Sequence, residues 1–143
     1  MISNNLFSLE SKTALVTGGS TGLGLMATAG LAAAGAKVFI VSRNLENCEK
    51  AAKKINNCNF KGQVVPFKGD LSSEAGISNI VDELHKKNSE LHVLVNNAGR
   101  TWGSNFGSFP YDAWEKVLNL NVSALFHLTQ KLVPLLAASA EQE

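Results

Sequence analysis

The stretch TGGSTGLG, Thr17 to Gly24, constrains this chain more than any other. It follows an apolar run, Thr13–Gly18, that reads as a buried strand. It precedes a small-residue segment, Leu23–Gly35, that reads as a helix ending at a C-cap glycine. Gly18, Gly22 and Gly24 have the spacing G-x-x-x-G-x-G. Glycine at these places serves a tight turn, a close backbone approach to a pyrophosphate, and tight helix-on-strand packing. The helix N-terminus then offers free amides and a positive dipole end to an anion. Glycines also make plain turns, and a lone motif is weak. Its place after a first strand and before a helix is the context that favours dinucleotide binding. No Gly-Lys-Ser/Thr follows, so a P-loop is excluded.

Strand-like and helix-like segments alternate beyond the loop. Lys37–Ser42, Gln63–Gly69 and His92–Asn97 read as strands. Leu45–Asn56 and Ser72–Asn88 read as helices, the second with a capping box from Ser72 or Ser73, and a long helix runs from about Tyr111 to Leu136. Short apolar strands between such helices imply βαβ units and a parallel sheet covered on both faces. The expected fold class is α/β, a Rossmann-type doubly wound parallel sheet of about four strands in the order 3-2-1-4. Pro66 supports placing the third strand at an edge, since proline donates nothing to a ladder.

A second determinant belongs about twenty residues past the glycine loop, at the end of the second strand. An acid there would hold the ribose hydroxyls of NAD; an arginine would accommodate the 2′-phosphate of NADP. This chain has Ser42-Arg43-Asn44 and no acid before Glu46. NADP(H) is therefore favoured over NAD(H), against the plainer reading of Arg43 as a solvated loop residue.

The remaining composition excludes more than it suggests. The chain has 143 residues, is 45% hydrophobic and carries a formal charge of +1, so neither nucleic acid nor an anionic membrane is an expected partner. Cys48, Cys58, His85, His92 and His127 are scattered, without metal-ligand spacing or a disulfide framework. Free thiols and the lack of a secretory signal at the N-terminus lead us to expect a cytoplasmic protein. The most apolar stretch, Leu25–Val41, is interrupted by Gly35 and Lys37 and reads as helix then strand, not as a membrane span.

Three stretches occur in order: TGGSTGLG after the first strand, GDL (Gly69–Leu71) after the third, and NNAG (Asn96–Gly99) after the fourth. Together, over nearly the whole chain, they resemble the short-chain dehydrogenase/reductase family, and NLNV (Asn119–Val122) resembles its pattern as well. Within the family, NNAGRTWG, WEKVLNLNV and LTQKLVPLL look most like reductases of the 3-oxoacyl-carrier-protein type, including those linked to rhamnolipid synthesis. The resemblance implies that Thr17, Gly18, Ser20, Thr21, Gly22, Leu23 and Gly24 cradle the cofactor phosphates; Ser42 and Arg43 are expected at the adenosine ribose from their place at the end of the second strand. It implies that Asp70 accepts from the adenine amino group and that Leu71 gives its backbone amide. Asn96, Asn97, Ala98 and Gly99 would line the ribose and nicotinamide side through backbone atoms, with Asn97 bracing the sheet. Arg100, Thr101 and Trp102 would stand at the mouth. Asn121 matches the active-site asparagine, whose backbone carbonyl holds a water of the proton relay. Read from the residues, Asn121 lies in an apolar stripe of Trp114, Val117, Leu118, Leu125, Leu128 and Leu132 and should be buried and satisfied by partners.

The pattern then stops. The family's chemistry uses a serine and a Y-x-x-x-K pair, but the one tyrosine here, Tyr111, is followed four residues on by Glu115. We expect a single domain over residues 1–143, truncated before a fifth strand, with cofactor binding present and catalytic Ser, Tyr and Lys absent. The full-length form would act on a small-molecule carbonyl substrate. The apolar long helix would make the chain a homo-oligomer. The alternatives are a non-catalytic nucleotide-binding or partner-binding short form, and an inert truncation.

Overall fold

A computed structural model describes residues 6–88 and 90–140. Four strands form one parallel sheet: β1 (Thr13–Thr17), β2 (Lys37–Ser42), β3 (Gln63–Lys68) and β4 (Val93–Val95), in the order β3-β2-β1-β4. The helices are α1 (Gly22–Ala33), α2 (Leu45–Asn56), α3 (Glu74–Lys87), α4 (Tyr111–Leu118) and α5 (Ala124–Ala140). Pro66 does lie in an edge strand, where its missing N–H costs no ladder bond on the open side. No described helix is long and apolar enough to cross a membrane.

The near-continuous apolar strands conceal a period of two. Leu15, Phe39, Val41 and Phe67 face one side, against Ile77, Ile80 and Leu84 of α3 and Leu128, Leu132 and Leu135 of α5. Ala14, Val16, Val38, Ile40 and Val64 face the other, against Ala32 of α1 and Cys48, Ala51, Ala52 and Ile55 of α2. These strand residues are thus buried whichever way they point, as a sheet with helices on both faces requires.

Helix ends follow local chemistry. Gly35 N–H donates to Ala32 and Ala36 N–H to Leu31, the paired bonds of a Schellman ending, so the helix stops just short of the expected Gly35. Asn44 caps α2 by accepting from Asn47 N–H, and Ser73 caps α3 by accepting from Gly76 N–H. The expected capping box is only half made, because a glycine at the third helical position has no side chain to reach back.

The long helix departs most from expectation. Between α4 and α5 the chain makes a π-helical segment, Asn119–Ser123, with Ala124 N–H donating to Asn119 C=O. The buried positions of α4 and α5 are Ala113, Ala124, Leu128, Leu132, Leu135 and Ser139. Trp114, Leu118, Asn121 and Leu125 are exposed. Extrapolating a 3.6-residue period back from Leu128 misses the extra residue of the π turn and lands one position late. The expectation of a buried Asn121 fails for that reason.

At the opposite end of the sheet a side chain completes the β1–β4 ladder. His92 N–H donates to Thr13 C=O at 2.9 Å, and His92 Nδ1 accepts from Thr13 N–H at 3.1 Å. Thr13 is buried, so its N–H has no ready substitute partner. His92→Ala should lower the unfolding free energy by about 1–3 kcal/mol, the cost of orphaning a buried donor; urea denaturation checks this.

Candidate functional site

β1 lies between β2 and β4, and the chain reaches β4 only after building β2 and β3 on the other side. That reversal opens a crevice at the carboxyl ends of β1 and β4. A cleft of about 630 Å³ occupies this place, a volume in the range of small-molecule sites.

One floor of the cleft is the turn between β1 and α1. Gly18 has φ +65°, and a side chain there would press on Asn97 Nδ2 at 3.0 Å and Ala98 Cα at 3.2 Å. Gly24 is buried at the start of α1, where a Cβ would overlap Gly18 O and Asn97 Nδ2. The first turn of α1 can therefore sit directly on the end of β4. Thr21 precedes this helix without capping it through its side chain, and no acid lies in the first turn. The amides at the start of α1 are thus left without a side-chain partner beside the cleft, whereas α2 and α3 spend Asn44 and Ser73 on theirs.

Opposite stand the ends of β2 and β3, with Ser42, Arg43, Gly69, Asp70, Leu71 and Ser72 on the lining. Asp70 accepts from Ser72 N–H at 2.9 Å. Hydrogen bonds from the Ser72 backbone and side chain, then the Arg43 charge, hold the Asp70 carboxyl below its ordinary range. A depressed folded pKa places its stabilisation above the unfolded pKa, so Asp70 is charged throughout the neutral range. Its contribution is lost only as pH falls through the depressed value.

Of the residues expected at a cofactor, Gly18, Ser20, Thr21, Leu23, Gly24, Ser42, Arg43, Asp70, Leu71, Asn97, Ala98 and Gly99 line the cleft. Thr17, Gly22, Asn96 and Asn121 are not on the lining. Thr17 is 1% exposed and acts as a hub: its hydroxyl donates to Val95 C=O and accepts from the N–H groups of Asn97 and Ala98. Asn97 returns the link by donating its side-chain amide to the carbonyls of Thr17 and Gly18, so it does brace the sheet. Asn96 donates to Thr129 Oγ1 of α5. Asn121 holds Arg100 at both backbone groups, accepting its N–H and donating to its C=O at 2.9 Å each. Asn44, Asn47, Lys116, Asn119 and Leu120 also line the cleft and were not foreseen as site residues. The polar residues Lys116 and Asn119 amid the apolar long helix were the available signal.

A 3-2-1-4 parallel sheet with a glycine-built cleft at its reversal point defines a Rossmann-type domain. The chain belongs to the short chain dehydrogenase family, whose model matches residues 12–142. It is 45% identical over 137 residues to the rhamnolipids biosynthesis 3-oxoacyl-[acyl-carrier-protein] reductase of Pseudomonas aeruginosa, covering 96% of this chain and 52% of that protein. It superposes with a TM-score of 0.87 on the solved Pseudomonas aeruginosa RhlG/NADP active-site complex, at 44% identity, covering 95% of this chain and 52% of that one. The L-sorbose reductase of Gluconobacter frateurii, solved with NADPH and L-sorbose, matches with a TM-score of 0.86 at 27% identity, covering 93% and 50%. The chain thus spans about half the length of these relatives.

Gly24→Ala should destabilise the fold by about 1–3 kcal/mol, because the added methyl has only backbone and the Asn97 amide to displace. Equilibrium unfolding in urea gives the value.

Proposed function

We propose that this chain binds NADP(H) in the cleft and supplies the cofactor-binding part of a short-chain reductase. The observation that carries the reading is one cleft lined by both the uncapped N-terminus of α1 and the Arg43 guanidinium. The first suits a pyrophosphate, and the second a 2′-phosphate about twenty residues further along the chain. The NADP and NADPH complexes of the two solved relatives support the same choice.

Ser20, Thr21, Leu23 and the glycines would hold the phosphates, while Thr17 and Gly22 shape the turn from beneath and behind. Ser42 and Arg43 would take the adenosine ribose, Asp70 and Leu71 the adenine, and Asn97, Ala98 and Gly99 the nicotinamide side. Asn121 would act by holding Arg100 and through its backbone carbonyl, as the family resemblance implies. The bound nicotinamide supplies or accepts the hydride exchanged with a carbonyl or secondary alcohol. A 3-oxoacyl thioester is the substrate class that the name of the Pseudomonas aeruginosa relative suggests. Trp114, Leu118, Val122, Leu125 and Phe126 leave an exposed apolar face on the long helix, which supports self-association.

A second reading, a nucleotide-binding form without catalysis, is favoured by one observation. Tyr111, the one tyrosine, precedes the helix carrying Asn121 and has Glu115 four residues on, so this chain shows no Y-x-x-x-K pair. Under either reading we expect this chain alone to bind NADPH and to show negligible NADPH-dependent ketone reduction, followed at 340 nm. Robust turnover would contradict the reading that this chain lacks the acid/base group.

Arg43→Ala should weaken NADPH about tenfold or more, from loss of a charge-assisted phosphate contact, while barely changing NADH. Calorimetric titration of both cofactors decides; equal losses would sink the NADP assignment.

A further inference from the structure

Asn119 and Asn121 stand two positions apart at the π segment of the long helix. Side chains two apart on a helix do not share a face. Asn121 reaches the loop after β4, where it grips Arg100. Asn119 reaches the loop after β3, where its Nδ2 donates to Ser72 C=O at 2.8 Å. Ser72 in turn donates its N–H to Asp70. Ser72 is therefore held on both of its peptide units, the N–H by Asp70 and the C=O by Asn119. Asp70, Ser72 and Asn119 are all exposed, so these bonds fix the outer side of the loop, while Leu71 and Leu120 pack on the core beneath it. Asp70, Leu71, Ser72 and Asn119 form one continuous part of the cleft lining.

We propose that Asn119 is a positioning residue: by holding the Ser72 carbonyl it sets the Asp70–Ser72 wall and thereby the affinity for the adenosine half of the nucleotide. The inference rests on the cleft being an NADP site. The turn closed by Asp70 fixes the loop internally, and the Gly69 N–H to Ser42 C=O bond and Leu71 packing hold its base, so a second tie is needed only where its Ser72 end meets the long helix. Asn119 supplies that second tie, and a wall ordered before binding spares the ligand the cost of ordering it.

The test uses NADPH and adenosine 2′,5′-bisphosphate, the adenosine-end fragment, with this chain and its uncharged Asn119→Ala and Asn119→Leu variants. The wild-type chain should bind both ligands. Each variant should weaken both by the same factor, about five- to tenfold for one lost hydrogen bond. The Asp70 carboxyl, followed by carbon NMR against pH, should titrate higher in the variants, because a Ser72 peptide released at its carbonyl donates its N–H less steadily to Asp70. A general loss of stability would not move that titration in a folded variant. Wild-type binding with unchanged variant affinities, or an unmoved Asp70 titration, overturns the role of Asn119 alone. A wild-type chain that binds neither ligand overturns the NADP reading itself, and this inference with it. Should neither variant fold, hydrogen exchange of the Asn119 side-chain amide in the wild-type chain decides: slowing by adenosine bisphosphate supports the proposal, and free exchange with and without it overturns it.

Discussion

The link between Thr17 and Asn97 is the constraint on which the cleft depends. β4 is only three residues long and pairs with β1 alone among the described strands. Its carboxyl end is held in place by a side-chain exchange: the Thr17 hydroxyl serves Val95, Asn97 and Ala98, and the Asn97 amide serves Thr17 and Gly18. A buried hydroxyl with one donor and two acceptor positions filled tolerates no substitute of different geometry. The link also accounts for Gly24, since α1 can approach the strand ends only if nothing projects into the space that the Asn97 amide fills. Sheet, turn and first helix are thus joined at one point, and the cleft opens beside it.

The π segment does for the other wall what this link does for the floor. Inserting a residue into the long helix lets α5 keep Leu128, Leu132 and Leu135 in the core while two amides are turned outward to two loops. Such segments interrupt an optimal helix and persist where something else compensates. Here the compensation is visible as three hydrogen bonds to the backbones of Ser72 and Arg100.

Much of this was legible in the linear chain. The strand order followed from alternating short apolar runs and helices together with Pro66, and the bounds of α2 were read without error. Twelve of the sixteen residues expected at the cofactor line the cleft, because glycine spacing and turn amides are local signals of backbone geometry. The losses have one character. Thr17 is expected among the residues that cradle the phosphates, and its hydroxyl is bonded to Val95, Asn97 and Ala98. Asn121 was expected in the core and instead grips a loop. Lys116 and Asn119 were passed over. Each depends on what stands across the cleft or on the phase of a helix, and neither is a property of a short window of sequence.

The sequence by itself determined that the chain would build a parallel sheet covered on both faces, with a glycine turn at the end of its first strand. Hydrophobic period, turn residues and the conformational demands on glycine act over a few residues and leave few alternatives. Only the tertiary structure decided which polar groups point into the cleft and which are consumed in holding it. That choice is made by packing: whether the hydroxyl of Thr17 meets a ligand or β4, and whether Asn119 meets solvent or Ser72, depends on the distance between elements far apart in the chain. The π turn that rotates the long helix is part of the same outcome, since the core on one side and the loops on the other must both be satisfied by a single rigid rod.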